Sequence, residues 1–470
     1  MSSELQSDGT PVEVDGVTIS SPGFTGTIEV RTPRGGVRAL PATDPLSVAL
    51  AATDVRETRT VTVDMRPAPT TRGMTVRGPL PPPALVTVPA PGPNEAQVLL
   101  VQNEDGSLQW TVPDATGTTF ALPMHAPSPG TRGLLGSIGT RVLKTLAFPL
   151  IGKVAGVAAN HFATHWEGEH HPHRVRAFTP DNYTSPDVEG LAAKDLRGFG
   201  DNRVLLFVHG TASTSYTGFG GIPQTTMKEL HHRYGGRVIA FDHPTVSVSP
   251  TDNARWLSAF LGDAALNVDI VSHSRGGLVS RVLSEQADAV GSSMTVERLV
   301  MVGTPNKGTA LANSDHILSL LDRLTNLLDL TPDNPVTDTL GVIISVVKQI
   351  AAGAFEGLPG LTAMRPGGDW IGALNTTKNS STTKYFAVAS NFEPPPNSPL
   401  TTIARDGATD AVFEDEENDL VVPTTGVFGV NGGAKFPIAS PLTFKARAAI
   451  DHSHYWATDE FTSSLLGWLQ

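Results

Sequence analysis

Cysteine is absent from the 470-residue chain, which excludes disulfide cross-links and a thiol nucleophile and leaves the redox compartment open. Positive charge is also scarce. Lys and Arg total 34 against 46 Asp and Glu, and a net charge of -12 argues against nucleic acid and anionic membrane surfaces as partners. No uninterrupted apolar run is long enough to span a bilayer. The nearest piece, Leu134 to Ala159, is broken by Arg141, Lys144 and Lys153 and kinked by Pro149. The opening Met1-Ser2-Ser3-Glu4-Leu5-Gln6-Ser7-Asp8 lacks the basic region and apolar core of a signal peptide, so a cytoplasmic location is the expectation. No repeat of fixed period is present, and nothing points to an oligomeric state. What remains is a chain that is 39% hydrophobic, enough to build a core and long enough for two or three domains.

Residues 1–130 are dense in Pro, Gly and Thr. Short alternating runs such as Val61-Thr62-Val63-Asp64-Met65 and Leu108-Gln109-Trp110-Thr111-Val112 are separated by turn signals, among them Pro81-Pro82-Pro83 and Asn103-Glu104-Asp105-Gly106. That pattern predicts a small antiparallel β domain, a sandwich or half-barrel, with no catalytic constellation of its own. Residues 131–195 read as a helical connection, with Leu134 to Trp166 as a helix or helix pair. The rest, 196–470, reads as α/β.

Within it lies Val268-Asp269-Ile270-Val271-Ser272-His273-Ser274-Arg275-Gly276-Gly277-Leu278-Val279. An apolar run feeding a Ser-centred pentapeptide and then apolar residues at helical spacing is the layout of a nucleophile elbow presenting Ser274. A serine hydroxyl needs a base to take its proton and N–H groups to receive the oxyanion, and the Arg275 amide at the helix start supplies one such donor. The usual elbow carries Gly two residues before the nucleophile; here the residue is Ser272.

Other parts follow in order. Val204-Leu205-Leu206-Phe207-Val208 reads as a buried parallel strand ending in His209-Gly210-Thr211-Ala212-Ser213. This small-residue loop would offer a second oxyanion N–H at Thr211, with His209 packing the loop. Alternatively, His209-Gly210 is only a strand-ending turn. Arg298-Leu299-Val300-Met301-Val302 and Tyr385-Phe386-Ala387-Val388-Ala389 read as further strands. An acidic loop from Phe413 to Val422 and the segment Asp451-His452-Ser453-His454-Tyr455-Trp456 precede a terminal helix with Phe461, Leu465 and Trp468.

These five motifs, His209-Gly210-Thr211, Ser272 to Gly276, Val302 to Gly308, Asn418-Asp419-Leu420-Val421-Val422-Pro423 and the His452 segment, resemble lipase-like α/β-hydrolases over roughly residues 200–470. That group includes bacterial triacylglycerol lipases and related esterases, in which the chain order is Ser, acid, His. The resemblance implies a mostly parallel sheet with flanking helices and a helical cap. It implies Ser274 as nucleophile, Asp419 as acid, His452 as base, and an oxyanion hole from the Thr211 and Arg275 amides. His454 competes with His452 as base and Asp415 competes with Asp419 as acid. The expected reaction is carboxylic ester hydrolysis through an acyl-enzyme, on a substrate with an apolar acyl or aromatic part, without cofactor or metal. Acyl transfer to another acceptor on the same triad is the alternative. A third possibility is a degenerate hydrolase scaffold whose β domain is a binding module.

Two further features carry weaker expectations. Ile317, Leu320, Leu321, Leu324, Leu327, Leu328 and Leu330, then Leu340, Ile343, Ile344, Val346, Val347 and Ile350, predict helices within about 313–357. They read as a cap over Ser274, or else as an ordinary core pair. His161, His165, Glu169, His170, His171 and His173 include an i, i+4 histidine pair that could ligate zinc. No Glu follows the first His as a catalytic zinc helix requires, so a solvated helix end is the preferred reading.

Overall fold

Along Val61-Thr62-Val63-Asp64-Met65 the apolar residues are buried and the polar ones between them half-buried, the period-two signature of a strand with one face in a core. A computed structural model describes residues 2–32, 44–68, 82–122, 139–150, 161–200, 202–328, 330, 336–376, 381–395, 412–430, 436 and 438–470. Two compact units emerge. The first gathers the described residues of 1–162 and 321–355; the second gathers those of 163–320, 356–397 and 409–470.

The first unit is built on two antiparallel sheets. One has six strands in the order β1 (Ser2–Leu5), β4 (Phe24–Arg31), β5 (Arg56–Pro67), β10 (Gly139–Pro149), β7 (Glu95–Gln102) and β8 (Leu108–Thr111). The other has β2 (Val12–Val14), β3 (Val17–Ser20), β6 (Ala84–Thr87) and β9 (Thr119–Leu122). Ile28, Val61, Val63, Leu99 and Leu143 of the first sheet share one buried cluster with Val17, Ile19, Val86 and Phe120 of the second. That is a β-sandwich core.

Two sequence expectations need correction here. The connection predicted as helix contains strand β10, an eleven-residue strand paired antiparallel to β5 on one side and β7 on the other. Arg141-Val142-Leu143-Lys144 does not alternate in polarity, yet from Arg141 to Thr145 the residues alternate buried and half-buried, and pairing on both edges makes the strand, since β preference is mostly a matter of neighbours. Residues 134–138 and 151–160 lie outside the described set. The second correction concerns the cap. Helix Thr337–Ala351 is a core helix of the first unit, buried continuously from Thr339 to Gln349 and packed on β7 and on helix Pro45–Ala52. A helix apolar all round is an interior helix, and its sequence does not say whose interior. Among the described residues, no helix is long and apolar enough to cross a membrane.

The second unit is α/β. Its sheet runs β11 (Arg174–Ala177), β13 (Val238–Asp242), β12 (Val204–Val208), β14 (Asn267–His273), β15 (Thr295–Val302), β16 (Lys384–Ser390) and β17 (Leu442–Phe444). All neighbours are parallel except β11, which pairs antiparallel with β13. β12 and β13 are buried at every residue, as strands covered on both faces must be. Phe461 and Leu465 of the terminal helix Asp459–Trp468 join Met227 and Leu230 in the cluster under Leu205, Phe207 and Val300. Strand order reverses beside β12: the chain goes first to β13 on one side and then to β14 on the other. At that switch the loops leaving β12 and β14 diverge side by side at the carboxyl edge, where such sheets form their sites.

Candidate active site

Ser274 stands between β14 and helix Gly276–Glu285 with φ of 51°, a left-handed conformation rare for a residue with a side chain. The turn is held from three directions. The Ser274 amide donates to the Val302 carbonyl at 2.8 Å. Gly276 runs so close to the end of β12 that a Cβ there would lie 2.2 Å from the Val208 carbonyl oxygen. A Cβ on Gly277 would meet the Thr304 side chain at 2.0 Å. The departure at Ser272 is accommodated, because its buried hydroxyl donates to the Val300 carbonyl at 3.1 Å. A serine there is a satisfied polar group rather than an obstruction.

The fold brings Asp419 and His452 together. His452 Nδ1 and Asp419 Oδ2 are 2.7 Å apart, and both side chains are buried. The His452 amide also donates to the Asp419 carbonyl at 3.0 Å. Tyr455 donates its hydroxyl to the same Oδ2 at 2.6 Å, while the Val421 and Val422 amides donate to Oδ1 at 3.0 and 2.7 Å. Burial pushes the Asp419 carboxyl up, but the His452 ring, the Tyr455 hydroxyl and the Val422 amide outweigh it, so Asp419 lies below its ordinary value. Burial, then the adjacent Asp419, raises the Tyr455 hydroxyl well above its own, keeping it a donor.

Gly303 joins this pair to the elbow. It follows Val302, which holds the Ser274 amide, and a Cβ on it would sit 3.1 Å from His452 Cε1 and 3.2 Å from Asp419 Oδ2. Among the described residues, the side-chain hydrogen bond of His452 is to Asp419, and none joins its Nε2 to Ser274 Oγ.

The competing residues lie elsewhere. His454 is 66% exposed and pairs with Asp451 at 2.6 Å, a hydrogen bond that raises its ring above the ordinary value. Glu414, Asp415, Glu416 and Glu417 are exposed on the acidic loop. Upstream of Asp419, therefore, that loop presents a solvated face.

Gly210 approaches the nucleophile closely: a Cβ on it would be 2.7 Å from Ser274 Cβ. Thr211 follows, and then Ala212, whose φ of 48° turns the loop and whose amide donates to Thr245 Oγ1 at 2.9 Å. Among the described residues, neither the Thr211 nor the Arg275 amide donates to a protein acceptor. His209 locks the loop from behind: its Nδ1 reaches the Gly210 carbonyl at 3.1 Å and its Nε2 accepts from the His243 amide at 3.1 Å. Burial lowers this imidazole to about 4, so it is neutral and its tautomer is set by those two partners. The Arg275 guanidinium is fully buried and donates to the carbonyls of Gly360 and Val248.

The histidine-rich stretch disperses. His165 faces Glu169 at 3.6 Å on the surface, the His170 ring stacks on Trp166, and His173 bonds Asn253 at 2.8 Å while stacking on Trp256. Among the described residues, no group of three His, Asp or Glu is arranged to hold a metal. Sequence reasoning missed Tyr455 as a partner of Asp419, although it lies three residues after His452. It also missed Glu167, whose carboxylate is buried against the loop after β13. Nothing in the local sequence distinguishes Glu167 from the solvated Glu169 two residues on.

Taken together, these features define an α/β protein whose parallel sheet presents a strained serine near a buried histidine–carboxylate pair at its carboxyl edge. The chain belongs to a family whose model, described as a domain of unknown function (DUF7379), matches residues 170–470. No curated protein matches it. Among solved structures it is similar to the mature form of the lipase BlEst2 from Bacillus licheniformis, at 22% identity over 57% of this chain and 93% of that one, with a TM-score of 0.36. It is also similar to lipase 1 from Pelosinus fermentans, at 15% identity over 57% of this chain and 98% of that one, TM-score 0.39. The phospholipase PlaB from Legionella pneumophila matches at 18% identity and TM-score 0.31, over 48% of this chain and 45% of that one. This chain thus spans less than half of PlaB's length.

Proposed function

We propose that the second unit is an α/β-hydrolase domain that cleaves carboxylic esters by two-step acyl transfer. The observation that carries this reading is the buried His452–Asp419 pair at 2.7 Å, meeting at Gly303 the backbone that anchors Ser274 in its left-handed turn. His452 takes the Ser274 proton as Oγ attacks the ester carbonyl, and Asp419 holds the ring tautomer and stabilises the imidazolium. The Thr211 and Arg275 amides receive the developing oxyanion, and the alcohol departs with the proton from His452. Water, deprotonated by the same imidazole, then releases the acid and restores Ser274. The ordinary pKa of a serine hydroxyl makes this base indispensable.

The test is turnover of p-nitrophenyl esters of graded acyl length by the full chain, beside Ser274→Ala and a fluorophosphonate label. Hydrolysis abolished by Ser274→Ala, with label on Ser274 alone, is the expected result, and it should persist after exhaustive chelation. Undiminished turnover in Ser274→Ala would sink the mechanism. Loss of activity with EDTA, restored by zinc, would move attention to the histidines around His165.

A further inference from the structure

Glu167 accepts an unusual number of hydrogen bonds for a side chain with no exposed surface. It lies on helix His161–His170, and its two oxygens receive the consecutive amides of Thr245, Val246 and Ser247 together with the hydroxyls of Thr245 and Ser247. Successive amides turned toward one point make an anion-binding concavity, and here the chain's own carboxylate fills it. A buried carboxylate is costly unless its lone pairs are used, so this cluster holds the loop after β13 in one arrangement.

That loop in turn touches both sides of the candidate oxyanion hole. Thr245 Oγ1 donates to Glu167 at 3.0 Å and accepts the Ala212 amide at 2.9 Å. Ala212 is the residue after Thr211 and sits in a left-handed conformation that a side chain disfavours, so it needs an external restraint. On the other side, the Arg275 guanidinium donates to the Val248 carbonyl in the same loop, and to Gly360, whose amide bonds the Val246 carbonyl. Glu167 also favours the charged form of this buried Arg275, which burial lowers to about 10.

We infer that Glu167, acting through Thr245, is a positioning residue that sets the Thr211 amide against Ser274 and so tunes oxyanion stabilisation. This inference rests on the esterase reading proposed above. The Thr245 hydroxyl is the relay: it spends its proton on Glu167, leaving its lone pair to the Ala212 amide. A misplacement of about 1 Å in an oxyanion donor can cost on the order of 100-fold in rate.

The experiment compares Thr245→Val, Thr245→Ser and Glu167→Gln in the full chain, with Ser274→Ala as reference. Each is assayed for kcat and KM on p-nitrophenyl butyrate, for inhibition by an alkyl boronic acid, whose tetrahedral serine adduct mimics the oxyanion, and for thermal midpoint. Thr245→Val retains the shape of the side chain and leaves Glu167 its three amide donors, so it is the variant expected to fold if Glu167→Gln does not. The expected result for Thr245→Val is kcat lowered roughly 10- to 100-fold with KM changed less than about 3-fold, and boronate affinity weakened in step with kcat. Thr245→Ser, which keeps the hydroxyl, restores both. A folded Thr245→Val with wild-type kcat overturns the inference, as does a rise in KM alone or unchanged boronate affinity. Survival of activity in Ser274→Ala defeats the esterase reading instead, so the two failures are distinguishable.

Discussion

Two aspartates, one in each unit, show what separates a buried carboxylate with many partners from one with few. Burial pushes both upward. Asp322 in the β unit has one amide, that of Trp110, at 2.7 Å, and its carboxyl rises to about 8. Asp419 in the α/β unit has an imidazole, a phenol and two amides, and it lies below its ordinary value. The cations repeat the contrast. Lys348 of the β unit rests on one carbonyl, that of Thr53, and the rings of Phe148 and Phe162, and burial lowers it to about 8. Arg281 of the α/β unit pairs with both oxygens of Glu285 and with Asn306 and Asn375. Burial raises the stakes of a polar group, and for the two aspartates the partners decide which way the carboxyl moves.

The largest expected effect is on chemistry, and the same substitution in the two units should separate them. Asp419→Asn should lower kcat on a p-nitrophenyl ester by roughly 10³- to 10⁴-fold, because an amide cannot hold the His452 tautomer. Asp322→Asn should leave kcat unchanged and stability within about 1 kcal/mol at pH 7, since that carboxyl is already protonated there. Equal losses in both variants would erase the comparison.

Next is the elbow. Gly276→Ala drives a methyl into the Val208 and His209 carbonyls, at 2.2 and 2.5 Å, and should destabilise the chain by about 3 kcal/mol. Gly106→Ala in the β unit meets nothing within 4 Å and should cost only the strain of its φ of 82°, about 1 kcal/mol. Thermal melts of the two variants would decide it.

Lys348 supplies a pH test of smaller size. Its folded value near 8 lies below the 10.5 of an exposed lysine, so between those values the unfolded chain binds more protons and stability rises with pH. From pH 7 to pH 10, wild type should therefore gain about 1–3 kcal/mol relative to Lys348→Met, read from denaturant midpoints. A difference that does not change with pH would mean the ammonium is fully compensated. The smallest effect is that of Tyr455→Phe, which removes one of the four donors to Asp419. It should lower kcat about 10-fold with little change in KM.

Much of the candidate site was legible because a sharp strand-to-helix turn imposes local requirements. Ser274 needs a strand before it, a helix after it and glycines beside it, and all of these are short-range features of the chain. His452 and Asp419 were named by motif beside His454 and Asp415; in the structure the first two are buried and paired, whereas His454 and Asp415 are exposed. Glu167 and Thr245 were not legible. They lie 78 residues apart, and neither sits in a pattern that one residue would recognise without the other.

The sequence by itself determined where strands alternate, where the parallel core lies, and where Ser274 turns out of it, because these follow from periodicity and local sterics. Only the tertiary structure decided that Gly139–Pro149 is a strand between β5 and β7, and that Thr337–Ala351 belongs to the interior of the β unit. Only it brought Glu167 to the loop after β13 and Tyr455 to Asp419. An apolar helix and a lone carboxylate carry no address in their own residues; burial against particular partners supplies it.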